Sequence, residues 1–464
     1  MERSVDGANL RRALGPLDGA LITIGAVLGT AIFLTPADIA KALPHPDLIL
    51  LAWVAGGLLT LAGALTYAEM GTMFPRAGGM YHFLKEAYGP LAGFLFGWAS
   101  FFVIMSGGIA ALAAGFGEYL GAFLPFFSPK NVLFSVAAGG LRWNLTGGGV
   151  AGVLAIAFLT GVNFAGVREG AWIQNLVTIV KLGALAALAG VGLFVKAPAH
   201  PDFTAPLPAA VLAPFGVAMI SVLWAYDGWY CFALSAGEAR DPGRTIPRGL
   251  IAGTVALIVI YGVINLVYLR ALPIADLAQS PRAGEAAAQA LFGPAAAKLT
   301  SAAILVSIFG CLSANVLTCS RIYQPMAEDG LFFQGLARVH PRSRVPSASL
   351  AAQGAWASIL VVSGTFEQLY TYVIFVEVLF FTATGAAIYV LRRTHAATPR
   401  PYRAWGYPWV PALFVLCSLV LTANTLFERP TESLIGLGLL ALGLPAYASW
   451  RRRSALARGV RLSS

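Results

Sequence analysis

Charge is scarce in this 464-residue chain. Asp, Glu, Lys and Arg make up 11% of it, while 58% of its residues are hydrophobic. A soluble domain carries about 25% charged residues, so the shortage excludes a soluble globule and points to a bilayer as solvent. Cysteine is scarce too. Cys231, Cys311, Cys319 and Cys417 each sit in or beside an apolar stretch at no metal-ligand spacing, so they read as packing residues, not disulfides or ligands. No His-Cys-Asp cluster at ligand spacing, no G-x-x-x-x-G-K-[ST] phosphate loop and no nucleophile–base pair is present. No metal, cofactor or ATP-driven step is therefore expected within the chain. A cleavable signal is not expected either, because residues 1–18 are polar and the apolar run after them is as long as a full span.

What is abundant is long apolar runs. A membrane helix needs about 20 such residues. Twelve runs meet the requirement, near 17–43, 47–73, 90–124, 144–165, 171–195, 209–237, 247–270, 296–325, 346–364, 367–391, 407–427 and 433–450. They are numbered 1 to 12 below. The 51 Gly and 27 Pro lie largely within them, as membrane helices tolerate. With residues 1–16 in the cytoplasm, 22 of the 31 Lys and Arg fall on the cytoplasmic side and eight on the other, with Lys181 left inside run 5. That asymmetry predicts two cytoplasmic termini in a cell membrane. It also explains the net charge of +10 without nucleic acid, the basic tail 451–464 lying beside anionic lipid.

Two runs carry interruptions. Run 1 reads GAVLGTAIFLTP from Gly25 to Pro36, and run 6 reads SVLWAYDGWYCF with Asp227 and Gly228 at its middle. A charge at the bilayer centre costs about 2.5–3.5 kcal/mol even on a lenient scale, and glycine there weakens a helix by about 1 kcal/mol. Such paired interruptions predict unwound helices around a midplane site. Unwinding frees N–H groups at the start of one half-helix, which suit a carboxylate, and carbonyls at the end of the other, which suit an ammonium. Together they complement a zwitterion. The spacing repeats: Gly29 to Ala225 is 196 residues, and so is intramembrane Lys181 to intramembrane Glu377. A five-run repeat of that length lays 17–195 over 209–391 with inverted topology, leaving 407–450 as two extra helices.

At these residues the chain resembles a known family. LWAYDGW at 223–229 and GEARDPGRTIPRGL at 237–250 resemble the sixth span and following loop of L-type amino acid transporters, in the amino acid–polyamine–organocation superfamily. GTAIF at 29–33 is similar to the family's G-[Ser/Thr]-G-I-F break. The segments 68–89, 320–342 and 399–414 resemble its first inner loop, the loop after span eight and the entry to span eleven. The resemblance implies an all-α, twelve-helix LeuT-type fold. It further implies sodium-independent exchange of amino acids by alternating access, taken here to be small neutral ones, with no enzymatic step. Eukaryotic members of the family join a heavy chain through a cysteine after span three. None lies between Gly121 and Leu145, so no such partner is expected, and the chain is expected to be a monomer among membrane lipids.

The expected substrate set is Gly25, Val27, Gly29, Thr30, Ala31 and Ile32 at the first break, with Trp224, Ala225, Tyr226, Asp227, Gly228 and Tyr230 at the second. The N–H groups of Thr30, Ala31 and Ile32 face the carboxylate. By resemblance Trp224 is a gate, and Lys181 stands where sodium-coupled relatives hold the ion, contacting carbonyls near Gly25 and the Ser313 hydroxyl. Asp227 caps the freed N–H groups or, alternatively, binds a cationic substrate. Two departures bear on the pocket: Ala31 replaces the second glycine of the break, and Tyr230 replaces a smaller polar residue. Glu118 and Glu377 are candidate proton-linked acids or structural ones, and Glu69, near Arg76, belongs to an inner gate or loop scaffold. The rivals are a proton symporter and a polyamine or cationic amino acid carrier, which would need several acids around the breaks. A membrane sensor is a third, needing a soluble domain that 1–16 and 451–464 do not provide.

Overall fold

The computed structural model describes residues 14–75, 79–138, 141–165, 181, 183–196, 198–234, 239–328, 330, 332–337 and 347–457. Helices dominate. Among the described residues, eight are long and apolar enough to cross a membrane: Pro46–Met73, Pro90–Phe123, Gly147–Phe164, Pro242–Ala271, Pro294–Val316, Phe366–Thr394, Trp409–Glu428 and Pro430–Arg451. They occupy runs 2, 3, 4, 7, 8, 10, 11 and 12. Shorter apolar helices, Pro16–Val27, Gly183–Gly192, Leu212–Tyr226 and Ser347–Ser363, fall in runs 1, 5, 6 and 9. Most of run 5 lies outside the described residues, and so does Arg76.

Local chemistry explains the helix ends. Pro16, Pro36, Pro46, Pro90, Pro242, Pro294 and Pro430 each open a helix, where the missing N–H costs nothing and φ is already set. Run 10 begins on a capping box between Thr365 and Gln368 and ends on Arg392 and Arg393, which complement the carbonyl end of the helix dipole. Between helices, small residues allow close approach. At Gly249 of run 7 an added Cβ would lie 3.0 Å from the Gly19 Cα of run 1. Runs 11 and 12 turn side chains such as Trp409, Phe427 and Leu434 outward, a surface suited to lipid.

Three features differ from the sequence reading. Run 3 holds a single π-helical stretch, Ser100–Ile104. Run 12 is split at Leu442 into Pro430–Ala441 and Gly443–Ala457. The fold is also not purely α-helical: β1 (Val132–Ala138) pairs antiparallel with β2 (Leu141–Thr146) between runs 3 and 4. Phe134, Val136 and Trp143 favour extended backbone, and the sequence between the strands is Gly139-Gly140, a hairpin signature. The Trp143 indole donates to the Val362 carbonyl at 2.7 Å, tying the hairpin to run 9.

At the opposite end of the bundle Glu69 is fully buried. It accepts from Arg392 Nε and Nη2 at 2.9 and 2.6 Å and from the Ala404 N–H at 2.7 Å. Glu69 thus clamps the end of run 10 and the loop leading to run 11 onto run 2. A buried carboxylate without these partners would be costly.

Candidate functional site at two broken helices

Run 1 stops being helical at Leu28 and resumes as Ala31–Leu34, then Pro36–Ala42. Gly29 offers little to hold a helix, and its N–H turns back to the Val27 carbonyl at 2.6 Å. The N–H groups of Thr30, Ala31 and Ile32 meet no acceptor among the described residues, and the next bond in line is Phe33 N–H to Thr30 O at 3.0 Å. The buried Thr30 hydroxyl also lacks a partner among the described residues. Free N–H groups at a helix start form an anion-binding edge.

Run 6 stops at Tyr226 and resumes at Cys231. Gly228 holds φ at +95°, and an added Cβ would lie 3.2 Å from the Ala26 carbonyl, so the two breaks touch there. The Gly228 N–H donates to Asp227 Oδ1 at 2.6 Å. One side chain joins the breaks. The Tyr261 hydroxyl of run 7 lies 2.7 Å from the Ala225 carbonyl and 3.2 Å from that of Val27. Tyr226 reaches away from the breaks, donating to the Trp53 carbonyl at 3.1 Å. Sequence reasoning passed over Tyr261, because a tyrosine in an apolar run resembles packing.

Lys181 is buried. Its ammonium donates to the carbonyls of Gly25, at 3.0 Å, and Leu28, and stands 3.7 Å from the Cys311 sulfur. It therefore occupies carbonyls that the first break frees. Ser313 is buried but makes no bond to Lys181; Cys311 takes the expected place. Two residues along a helix are about 200° apart around its axis, so only one of the pair can face run 5.

Glu377 of run 10 is fully buried, and Oε1 accepts from the Tyr230 hydroxyl at 2.7 Å. Oε2 meets no donor. The carboxyl group interacting with it across the break is Asp227. Two carboxyls in contact can form a hydrogen bond only when one holds a proton. The second break thus carries an acid pair that the sequence alone did not bring together, and Tyr230 spends its hydroxyl on it. Glu118 is elsewhere, 3.8 Å from Arg282, which also pairs with Glu285.

Trp224 is buried, with its ring stacked on Tyr370 at 5.9 Å and 17°. The Tyr370 hydroxyl donates to Asp38 Oδ2 at 2.9 Å and lies 3.0 Å from Ser221 Oγ. Neither Tyr370 nor Asp38 figured in the sequence reading. Gly25, before the first break, has open space where a Cβ would stand.

Unwound helices meeting deep inside an apolar bundle, with a buried ammonium and an acid pair beside them, define a membrane carrier. The amino acid permease family model matches residues 14–436, and the chain belongs to that family, in the amino acid–polyamine–organocation superfamily with L-type transporter character. It is 32% identical to the serine/threonine exchanger SteT of Bacillus subtilis, over 96% of this chain and 98% of that one. It is 29% identical to the human b(0,+)-type amino acid transporter 1, over 91% and 84% of the two chains. The human large neutral amino acids transporter small subunit 2 shares 27% identity, over 95% and 81%. The chain is a multi-pass membrane transporter and not an enzyme.

Proposed function

We propose that the protein is a sodium-independent exchanger of small neutral L-amino acids that works by alternating access, with its substrate held between the two breaks. The observation that carries this reading is the first break: three N–H groups meet no acceptor among the described residues, while an ammonium fills carbonyls of the same break. The N–H groups of Thr30, Ala31 and Ile32 take the carboxylate. Gly25, Val27, Gly29, Ala225, Tyr226 and Gly228 line the backbone path, and Trp224 is the gate. Lys181 supplies a fixed cation where sodium-coupled carriers need a mobile one, with Cys311 rather than Ser313 completing its shell. The small-substrate assignment draws on the relative that exchanges serine and threonine. The architecture that goes with it is LeuT-type: inverted repeats at 17–195 and 209–391, two further helices at 407–450, and both termini in the cytoplasm of a plasma-membrane monomer. Eight long and four short apolar helices are consistent with twelve crossings.

A second reading, proton-coupled uptake, is favoured by one observation, the electrostatic interaction between Asp227 at the second break and buried Glu377. The proton role goes to this pair and not to Glu118, which is engaged with Arg282. Cationic substrates would also meet this pair, and they are the third reading. Uptake of a radiolabelled amino acid panel into proteoliposomes, with and without internal amino acid and with a proton gradient imposed or collapsed, separates the three. Exchange predicts uptake only with internal amino acid, and symport predicts gradient-driven uptake into empty vesicles. Preference for lysine or a diamine over serine would replace the neutral assignment.

A further inference from the structure

The link between runs 10 and 11, residues 395–408, carries more positive charge than the acids around it neutralise. Four arginines meet at this end of the bundle, Arg392 and Arg393 from the last turn of run 10 and Arg400 and Arg403 from the link. Buried Glu69 answers two of them, Arg392 at 2.6 Å and Arg400 at 3.5 Å. Arg400 also caps the closing carbonyls of run 10, at Leu391 and His395. The other acid here, Glu86, faces His395 at 3.6 Å. Arg393 and Arg403 are exposed and pair with no acid among the described residues. Near them along the chain stand two exposed indoles, Trp405 at 71% and Trp409 at 79%. Trp409 heads a stripe of outward side chains on run 11, with Leu413, Leu416 and Val420 following at helical spacing. That stripe suits hydrocarbon, so its head marks the depth at which hydrocarbon meets water, where tryptophan concentrates. Unanswered positive charge at the same end requires an anion, and a bilayer supplies one as lipid phosphate.

We propose that this link is a binding site for an anionic phospholipid, and that the bound lipid steadies the clamp at Glu69. The headgroup phosphate takes Arg403 and Arg393, whose guanidinium groups suit phosphate oxygens. The acyl chains lie along the stripe of run 11, with Trp405 and Trp409 at its polar edge. The coupling runs through the backbone. Ala404 is buried between exposed Arg403 and exposed Trp405, and its N–H donates to Glu69 at 2.7 Å. The ring of Tyr407 lies 3.5 Å under the Arg392 guanidinium, the same group that grips Glu69. A lipid holding Arg403 and Trp405 therefore fixes the donors that join run 10 and its link to run 2. In a carrier that alternates access, lipid occupancy then sets how readily this clamp re-forms. Free phosphate would meet the arginines but leave the indoles and the stripe uncovered, so the occupant is a lipid. A second copy of the chain seated symmetrically here would bring four unanswered arginines together, which repel. The inference does not depend on which amino acid is carried.

The test places the purified full-length protein in nanodiscs of phosphatidylcholine and phosphatidylglycerol in equal parts, with bromine on the acyl chains of one lipid or the other. Bromine quenches indole fluorescence on contact. The chain has ten tryptophans, so the reading is the part of the signal that disappears in Trp405→Phe. One arginine near an anionic surface is worth about fivefold in affinity. Phosphatidylglycerol is therefore expected to occupy the site in preference to phosphatidylcholine by at least about fivefold. Arg403→Gln lowers that preference about fivefold, and Arg403→Lys, which keeps the charge, restores most of it. In liposomes, initial uptake of whichever amino acid the protein carries fastest should rise several-fold when phosphatidylglycerol replaces half of the phosphatidylcholine. Inorganic phosphate added to phosphatidylcholine liposomes should produce no rise, and the lipid effect should shrink in Arg403→Gln. Equal quenching by the two lipids in the wild type overturns the proposal, as does a preference left intact when Arg393→Gln and Arg403→Gln are combined. Cross-linking of two copies through Trp405→Cys would seat a second copy there and overturn it too. A lipid preference with uptake indifferent to lipid refutes the coupling to the clamp. Protein that carries no amino acid leaves the quenching test intact and overturns the transport reading instead.

Discussion

Tyr261→Phe removes one oxygen and tests whether the breaks work as a unit. The hydroxyl is the one side-chain group among the described residues that bonds both breaks, reaching Ala225 O at 2.7 Å and Val27 O at 3.2 Å. A neutral hydrogen bond contributes about 1 kcal/mol net, and a buried acceptor left without a donor costs about 1–3 kcal/mol. The stronger bond, to Ala225, sets the scale. A loss of about 1–2 kcal/mol from the assembled site corresponds to about a 5- to 30-fold change in an equilibrium constant, at 1.4 kcal/mol per tenfold. The ring stays, so its edge contacts with Trp53 and Tyr226, at 5.2 and 5.0 Å between centroids, keep the packing. The expected result in proteoliposomes is an apparent KM raised about tenfold, with yield and monodispersity close to wild type. A lower Tm with wild-type KM would mean that Tyr261 ties the fold but not the site. Wild-type KM and wild-type Tm together would refute the reasoning.

Lys181→Ala removes an ammonium from two carbonyls and a sulfur, each charged hydrogen bond worth about 1.5–3 kcal/mol. Initial uptake should fall at least about 100-fold, while membrane insertion, followed by fluorescence of a fused reporter, stays near wild type. Ser313→Ala should leave uptake within about twofold, and Cys311→Val, which crowds the ammonium, should reduce it; the reverse pattern would restore Ser313 to the Lys181 shell. Ala31→Gly should broaden the range of amino acids that compete for uptake, because the methyl group narrows the carboxylate edge; an unchanged profile would place the Cβ away from the ligand. If the Asp227–Glu377 pair carries the coupled proton, raising pH strips it and uptake falls. Glu377→Gln keeps one permanent N–H donor to Asp227, so the pH profile should flatten, and an unaltered profile would assign the proton elsewhere. Among the described residues, Tyr230 and Cys231 interact with both acids and Tyr67 with Glu377.

Backbone breaks were legible in the sequence because glycine and a charge in an apolar run carry local meaning. The positions Gly29 and Asp227-Gly228 fall inside the non-helical stretches. Lys181 was legible as a buried cation, since apolar residues on both sides leave its head no route to water. Its partners were only half legible: carbonyls follow from the break, but whether Cys311 or Ser313 faces run 5 depends on helix rotation, which no local signal fixes. Tyr261, Tyr370 and Asp38 escaped notice because hydroxyls and a run-end carboxylate gain meaning only when distant runs are brought together. Glu69 was placed at an inner gate or loop scaffold, but its charged partners among the described residues are Arg392, 323 residues away, and Arg400. The hairpin was overlooked beneath the apolar runs, although Gly139-Gly140 flanked by alternating residues was its signal.

The central claim is that a zwitterionic amino acid sits between the two breaks with its carboxylate on the backbone N–H groups of the first. Competition against uptake of radiolabelled L-serine by L-serine, its methyl ester and its N-acetyl derivative tests that claim most directly. The ester removes the carboxylate charge that the N–H groups of Thr30, Ala31 and Ile32 would hold, and acetylation removes the ammonium. The account predicts that both derivatives inhibit at least about tenfold more weakly than serine, the loss expected when a charged hydrogen-bonding partner is removed. Inhibition by the methyl ester as strong as by serine itself would contradict it.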